Sequence, residues 1–219
     1  MKDAAQPNIW LPDEKLPGFR AFMENYFTEC ASLIHSILDA LSIVLKVPDP
    51  GLSHTHSDSL FQLRLLHYPS IASSELLEQK RSRINAHSDF CTLTLLFQDS
   101  VGGLEVEDPH QPGTFRAAEP IEDTVLVNIG DLLARWSNDR WRSSVHRVGL
   151  PPTYTKSEKG EGSEIVSDRY SIPVFATANM NTVIEALPGC WSEENPKKYE
   201  AVTAWGDVQQ RMAALYAPE

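Results

Sequence analysis

Between residues 18 and 46 apolar side chains recur every three or four positions, at Phe19, Met23, Tyr26, Cys30, Ile34, Leu38, Leu41 and Leu45 among others. That spacing predicts a long amphipathic helix with one stripe to bury. Pro48, Pro50 and Gly51 stop it, and the polar run SHTHSDS that follows reads as a surface loop carrying His54 and His56. From Leu60 onward the period shortens to that of strands, in eight runs: LFQLRLLHY, RINAH, FCTLTLLF, GLEVE, TFRAA, TVLVNI, RSSVHRV and IVSDRYSIPVF. Short strands this closely spaced predict a sandwich or a closed jelly roll, because such folds bury one strand face and hide the edges. Between the last two runs, residues 155–168 are rich in charge, Gly and Ser and read as a mobile loop near the barrel mouth. A second helix is expected to begin at Asn195–Pro196 and to bury Tyr199, Val202, Trp205, Val208, Met212 and Leu215. The predicted class is therefore mainly β with flanking helices: a helical segment over 1–58, a β core over 59–180 and a helical segment over 181–219.

A chain of 219 residues, 42% hydrophobic and 22% charged, suits one globular domain. With 30 acidic against 19 basic residues the formal charge is −11, so a nucleic acid or an anionic membrane surface would be repelled on average, and neither is expected as a partner. The apolar stretch from Ala31 to Val47 is broken by His35, Asp39 and Lys46 and is not expected to cross a bilayer. The opening MKDAAQPNIW has no apolar core of a secretory signal, and Cys30, Cys91 and Cys190 are widely spaced with no CxxC, which suits reduced thiols in the cytoplasm.

Chemistry concentrates in two places. In NAHSDFCTL, His87 and Asp89 are two residues apart at the end of a predicted strand and can share a face; RSSVHRV supplies His146, with 56 residues between it and Asp89, on a face with Ser144 and Val148. Two imidazoles and a carboxylate on one side of an octahedral ion leave three positions open, the arrangement of non-haem Fe(II) oxygenases. Taken singly, each residue also fits an ordinary core, surface or turn position. His54 and His56 form a comparable H-x-H pair, but they sit in the polar loop without a carboxylate at strand spacing; His35 falls on the flank of the long helix and His110 in a proline-bounded turn. In SDRYSIPVF, Arg169 and Ser171 share a strand face with Pro173 and Phe175. An inward Arg needs an anion, and its planar fork suits a carboxylate, to which Ser171 and Tyr68 could add hydroxyl donors. An outward Arg169 paired with an acidic loop residue is the other possibility.

Taken together, LRLLHYP, NAHSDFCTLTLLFQD, VGGLEV, VNIGDLLARWSNDRWRSSVHRV and RYSIPVF resemble the 2-oxoglutarate-dependent dioxygenases of the isopenicillin-N-synthase-like type, from about Asn8 to the final helix. The resemblance implies a double-stranded β-helix, iron held by His87, Asp89 and His146, and 2-oxoglutarate held at its distal carboxylate by Arg169 and Ser171 with help from Tyr68. It further implies use of O₂ to oxidise a small organic substrate by hydroxylation, desaturation or ring closure, with release of succinate and CO₂. Phe97, Leu65, Phe175 and the helix residues facing the barrel mouth are the expected substrate contacts. Two other readings go with the same motifs: an Fe(II) oxidase of this fold that does not use 2-oxoglutarate, as in isopenicillin N synthase and aminocyclopropane-carboxylate oxidase, or a non-catalytic jelly-roll binding protein. The chain departs from plant members at Leu66, where they often carry Asn. It also begins where the family's additional front segment would already have ended, so one wall of the pocket is expected to be open and covered by a second copy or a partner chain.

Overall fold

The structure, a computed structural model, describes residues 8–78, 80–155 and 164–215. In chain order the elements are α1 (Phe19–Leu45), α2 (Gly51–His54), β1 (Phe61–Leu63), β2 (Leu66–Tyr68), β3 (Ile71–Ala72), α3 (Ser73–Leu77), β4 (Ile84–His87), β5 (Leu93–Gln98), β6 (Leu104–Glu107) and β7 (Phe115–Ala117). They continue with β8 (Leu126–Ile129), α4 (Asp131–Trp136), β9 (His146–Val148), α5 (Pro152–Thr155), β10 (Ile165–Val166), β11 (Arg169–Ala176), β12 (Val183–Ile184), β13 (Val202–Thr203) and α6 (Ala204–Leu215). Two antiparallel sheets face each other. The larger runs β1-β11-β5-β8 with β2 also on β11, and the smaller runs β4-β9-β6-β7. This is the jelly roll expected from the spacing of the strands.

The parity of β5 and β11 sorts the core into two layers, since alternate side chains leave a strand on opposite faces. Leu93, Leu95, Val174 and Ala176 point outward and, with Cys30, Ile34 and Leu38 of α1, form the main buried cluster. Leu96 faces the smaller sheet, where it packs beside Leu104 and Val148. Ile34 and Leu38 are fully buried, and each contributes about 1.5–3 kcal/mol by leaving water; a charge at either position would break the docking of α1. By length and composition α1 could cross a membrane, contrary to the reading of Ala31–Val47, but its buried stripe is committed to the sheet. Lys46 ends it in the left-handed conformation, its N–H returning to Ile43 and Ser42. Ser42 Oγ then donates to Leu38 O and accepts from Leu52 N, which fixes α2 on α1. Gly51, at φ +79°, lies there with Ser42 Oγ only 3.1 Å from where a Cβ would sit.

Several expectations are corrected. LFQLRLLHY is two strands, β1 and β2, both paired with β11; the break lies at Arg64 and Leu65, opposite Pro173, which has no N–H to continue the ladder. IVSDRYSIPVF is likewise β10 and β11. β10 pairs with β3, and Val166 is buried, so this flank of the expected mobile loop is packed. The central part of that loop, 156–163, lies outside the described residues. The SHTHSDS run is not all surface: His54 is exposed, but His56 is fully buried. Its Nδ1 donates to Leu52 O at 2.9 Å and its Nε2 accepts from Thr92 Oγ1 at 2.9 Å. The last helix starts at Ala204, not at Asn195–Pro196. Asn138 captures Pro196 O and the N–H of Lys198, and Val202–Thr203 pairs with β12, so residues 195–203 are kept out of the helix. Trp205 and Met212 are exposed, whereas Ala204 and Asp207 are buried, Asp207 holding Arg135 and Arg211.

Candidate active site

β4 and β9 are neighbours with His87 opposite His146, and the turn after β4 brings Asp89 beneath both. The Nε2 atoms of His87 and His146 lie 3.8 and 3.9 Å from Asp89 Oδ1. Each histidine points its Nδ1 at the carbonyl two residues earlier, His87 to Asn85 O at 2.9 Å and His146 to Ser144 O at 2.8 Å. A carbonyl only accepts, so both Nδ1 atoms act as donors, which leaves Nε2 as the lone-pair position that each ring turns inward to a metal. Three electron-pair donors thus converge within 4.8 Å of one another. Among the described residues no hydrogen bond reaches Asp89 Oδ1 or either Nε2, and no other group of His, Cys, Asp or Glu could hold a metal ion. That donor set fits a divalent cation of the iron group with positions left over.

The turn carrying Asp89 is fastened from below. Asp131 N donates to Asp89 O at 2.8 Å, Ser88 Oγ donates to Asp131 Oδ2 at 3.1 Å, and Leu132 N donates to Cys91 O at 3.2 Å. Gly130 makes this approach possible, since a Cβ there would lie 2.1 Å from Cys91 O. Burial pushes the Cys91 thiol up to about 12, so it stays protonated beneath the turn.

The triad opens into a cleft between the two sheets whose far end is Arg169. Arg169, Ser171, Pro173 and Phe175 all line it, as their shared strand face requires. Arg169 is 1% exposed, donates Nη1 to Ser171 Oγ at 3.2 Å and Nη2 to Gln98 Oε1 at 3.1 Å, and stacks over the Tyr68 ring at 5.0 Å. Among the described residues no carboxylate pairs with it, and its Nε has no partner. Burial pulls its pKa down, with Tyr68 and Asp99 opposing. The outward, ion-paired alternative for Arg169 is therefore not what the fold adopts. Leu66, Ile84, Leu96, Leu104 and Val148 make the intervening walls apolar.

Of the expected substrate contacts only Phe175 lines the cleft. Phe97 turns outward onto Tyr26, with ring centroids 5.4 Å apart, and Leu65 is exposed, because Leu96 and Leu66 take the inward positions beside them. Ser144 lies ahead of β9 but reaches the cleft as expected. Sequence reasoning passed over Thr94 and Asn128. Thr94 Oγ1 donates to Asp89 Oδ2 at 2.6 Å and Asn128 Nδ2 donates to the same oxygen at 3.0 Å. The available signal was a polar side chain inside an otherwise apolar strand.

A jelly roll with two histidines and a carboxylate at one end of an inter-sheet cleft, and a buried guanidinium at the other, defines the class of mononuclear non-haem metal oxygenases. The family is explicit: residues 46–178 match the model of the 2OG-Fe(II) oxygenase superfamily, and the chain belongs to that superfamily. It is 42% identical over 217 residues to a proline hydroxylase, buaE, of Petromyces alliaceus, covering 98% of this chain and 65% of that one. It is 44% identical over 189 residues to the 2-oxoglutarate-dependent dioxygenase htyE of Aspergillus rugulosus, covering 86% and 56%. The crystal structure of a full-length Neurospora crassa protein in complex with alpha-KG superposes with a TM-score of 0.86 at 39% identity, covering 98% of this chain and 63% of that one. The chain thus spans less than two thirds of the length of each of these relatives.

Proposed function

We propose that this chain forms the catalytic core of an Fe(II)- and 2-oxoglutarate-dependent oxygenase that oxidises a small organic molecule. The observation that carries the reading is Arg169: a guanidinium 1% exposed, without a carboxylate partner among the described residues, in the cleft that the triad also lines. A buried, unpaired charge is strongly unfavourable, so such a residue persists where an anionic ligand compensates it. His87, Asp89 and His146 would hold the metal; Arg169 and Ser171, with Tyr68 against the guanidinium, would hold the distal carboxylate of 2-oxoglutarate. When bound, the metal and co-substrate supply the oxidising chemistry, O₂ being consumed with conversion of 2-oxoglutarate to succinate and CO₂. The protein's own residues orient and enclose. The apolar walls between triad and arginine keep water from the reacting end and strengthen the Arg169 pair by lowering the local dielectric.

A small-molecule substrate is supported by the relatives, one named a proline hydroxylase and another the Neurospora protein solved with alpha-KG and thymine. Hydroxylation, desaturation and ring closure all remain within this chemistry. Three free, buried cysteines support a reducing, cytoplasmic setting. The division into flanking segments over 1–58 and 181–219, the latter helical only from Ala204, around a catalytic core over 59–180 is part of the same proposal. Anaerobic addition of Fe(II) and then 2-oxoglutarate is expected to produce the weak visible charge-transfer band of a keto-acid chelate. Bound iron without that band, and no succinate on admitting air, would remove 2-oxoglutarate from the reading.

A further inference from the structure

Asp89 is 5% exposed and offers two carboxylate oxygens that the fold treats differently. Oδ1 faces the two histidine nitrogens, whereas Oδ2 accepts from Thr94 Oγ1 at 2.6 Å and from Asn128 Nδ2 at 3.0 Å. The two donors stand side by side for a topological reason: β5 and β8 are antiparallel neighbours whose register pairs Thr94 with Asn128, both on the strand face that lines the cleft. A hydroxyl has one proton, and an ionised carboxylate can only accept, so the Thr94 proton goes to Asp89. The Cys91 thiol, 3.3 Å from Thr94 Oγ1 and 3.2 Å from Leu93 O, completes the chain behind it.

We propose that Thr94 and Asn128 are positioning residues that hold Asp89 as a one-oxygen metal ligand. The inference rests on the metal site of the proposed function and adds a coordination rule to it. An aspartate free to rotate can bind a cation through both oxygens, which would take one of the positions that a chelating keto acid and O₂ need. Two hydrogen bonds to Oδ2, one of them short, occupy its lone pairs and fix the carboxylate plane, so that Oδ1 alone is presented. The walls of the cleft thereby set how many positions stay open.

Co(II) is the probe, because its visible absorption reports coordination number and needs neither O₂ nor turnover. Anaerobic titration of wild type, Thr94→Val, Thr94→Ser, Asn128→Leu and Asp89→Ala would be followed by affinity and spectrum. Loss of one outer partner is expected to weaken Co(II) binding by about tenfold or more in Thr94→Val and Asn128→Leu, with a changed visible spectrum, whereas Thr94→Ser stays within about threefold of wild type. Thr94 is buried, so Thr94→Val is checked by thermal melting of the metal-free protein; should it not fold, the half-buried Asn128 gives the same readout. If Asp89→Ala loses Co(II) while Thr94→Val and Asn128→Leu keep wild-type affinity and spectrum, the positioning role is overturned and the metal site stands. If Asp89→Ala itself binds Co(II) as wild type does, the metal site is wrong and the positioning role falls with it.

Discussion

Replacing Arg169 by alanine removes a guanidinium whose removal from water folding has already accomplished, so a ligand carboxylate meets a charge that needs no further dehydration on one side. Nη1 and Nη2 are held by Ser171 and Gln98, which pre-orients the fork and limits the ordering cost on binding. Charge-assisted hydrogen bonds contribute about 1.5–3 kcal/mol each in such a setting, and a two-point pair, allowing for the contacts Arg169 already makes, should net about 3 kcal/mol. At 1.4 kcal/mol per tenfold that is about a hundredfold. Succinate release measured against 2-oxoglutarate concentration should therefore show an apparent KM raised by about a hundredfold in Arg169→Ala, and by less in Arg169→Lys, whose point charge keeps attraction but loses the fork. Iron content should be unchanged in both. The same burial makes a second, opposite expectation: with no carboxylate among the described residues opposite it, Arg169 costs the ligand-free fold stability, so Arg169→Met should melt no lower than wild type without ligand. Opposite movement of co-substrate affinity and stability separates a binding role from a packing role. A KM indifferent to all three substitutions would refute the reasoning, and a large fall in ligand-free melting temperature with Arg169→Met would show that the arginine serves the fold instead.

Asp89→Ala should lower Fe(II) content by far more than the loss of an outer-shell partner would, while exposed His54→Ala leaves it unchanged; metal analysis after desalting decides, and equal iron in the Asp89 variant would end the triad assignment. Burial holds the His56 imidazole neutral, with a pKa of about 4 against an ordinary 6.5. The unfolded chain therefore takes up the proton first, so stability is full above pH 6.5 and falls by about 3 kcal/mol in total as the pH drops to 4. Urea midpoints should follow that slope in wild type and flatten in His56→Gln, and parallel slopes would discount the histidine. The face of α1 opposite its buried stripe exposes Phe22, Ile43 and Val44. Light scattering should show association through it that Ile43→Lys abolishes, and a monomer at every concentration would count against a second copy there.

Local pattern carried much of this fold because several elements repeat their signal. The stripe through Cys30, Ile34 and Leu38 recurs along the whole of α1, so a single exception could not disguise it. His87 and His146 were legible because they end and begin strands that are paired at those two residues, and Asp89 because it follows His87 closely enough for the turn to return it to the same site. His56 was not. Its neighbours are polar, and the partner that satisfies its Nε2 inside the fold is Thr92, 36 residues away, which no local window contains. Asn195–Pro196 failed in the same way: a sound helix start was overruled by Asn138, whose amide binds the chain at Pro196 and Lys198.

The exchange of Phe97 for Leu96 has a different origin. In FCTLTLLF apolar residues occupy both parities, because β5 is covered on one face by α1 and on the other by the smaller sheet, and a strand buried twice loses the alternation that would orient it. The polar exceptions restore it. Thr94 and Gln98 share the parity of Leu96, and Arg169 and Ser171 share the parity of Phe175; all are buried or half-buried, and all but Gln98 line the cleft. A hydroxyl, amide or guanidinium in a fully buried strand is costly unless something satisfies it. The satisfied ones here hold Asp89, or hold the arginine that awaits a carboxylate. In such a strand the polar residue marks the face on which chemistry is done, and the apolar neighbour one position away belongs to the core, however large its side chain.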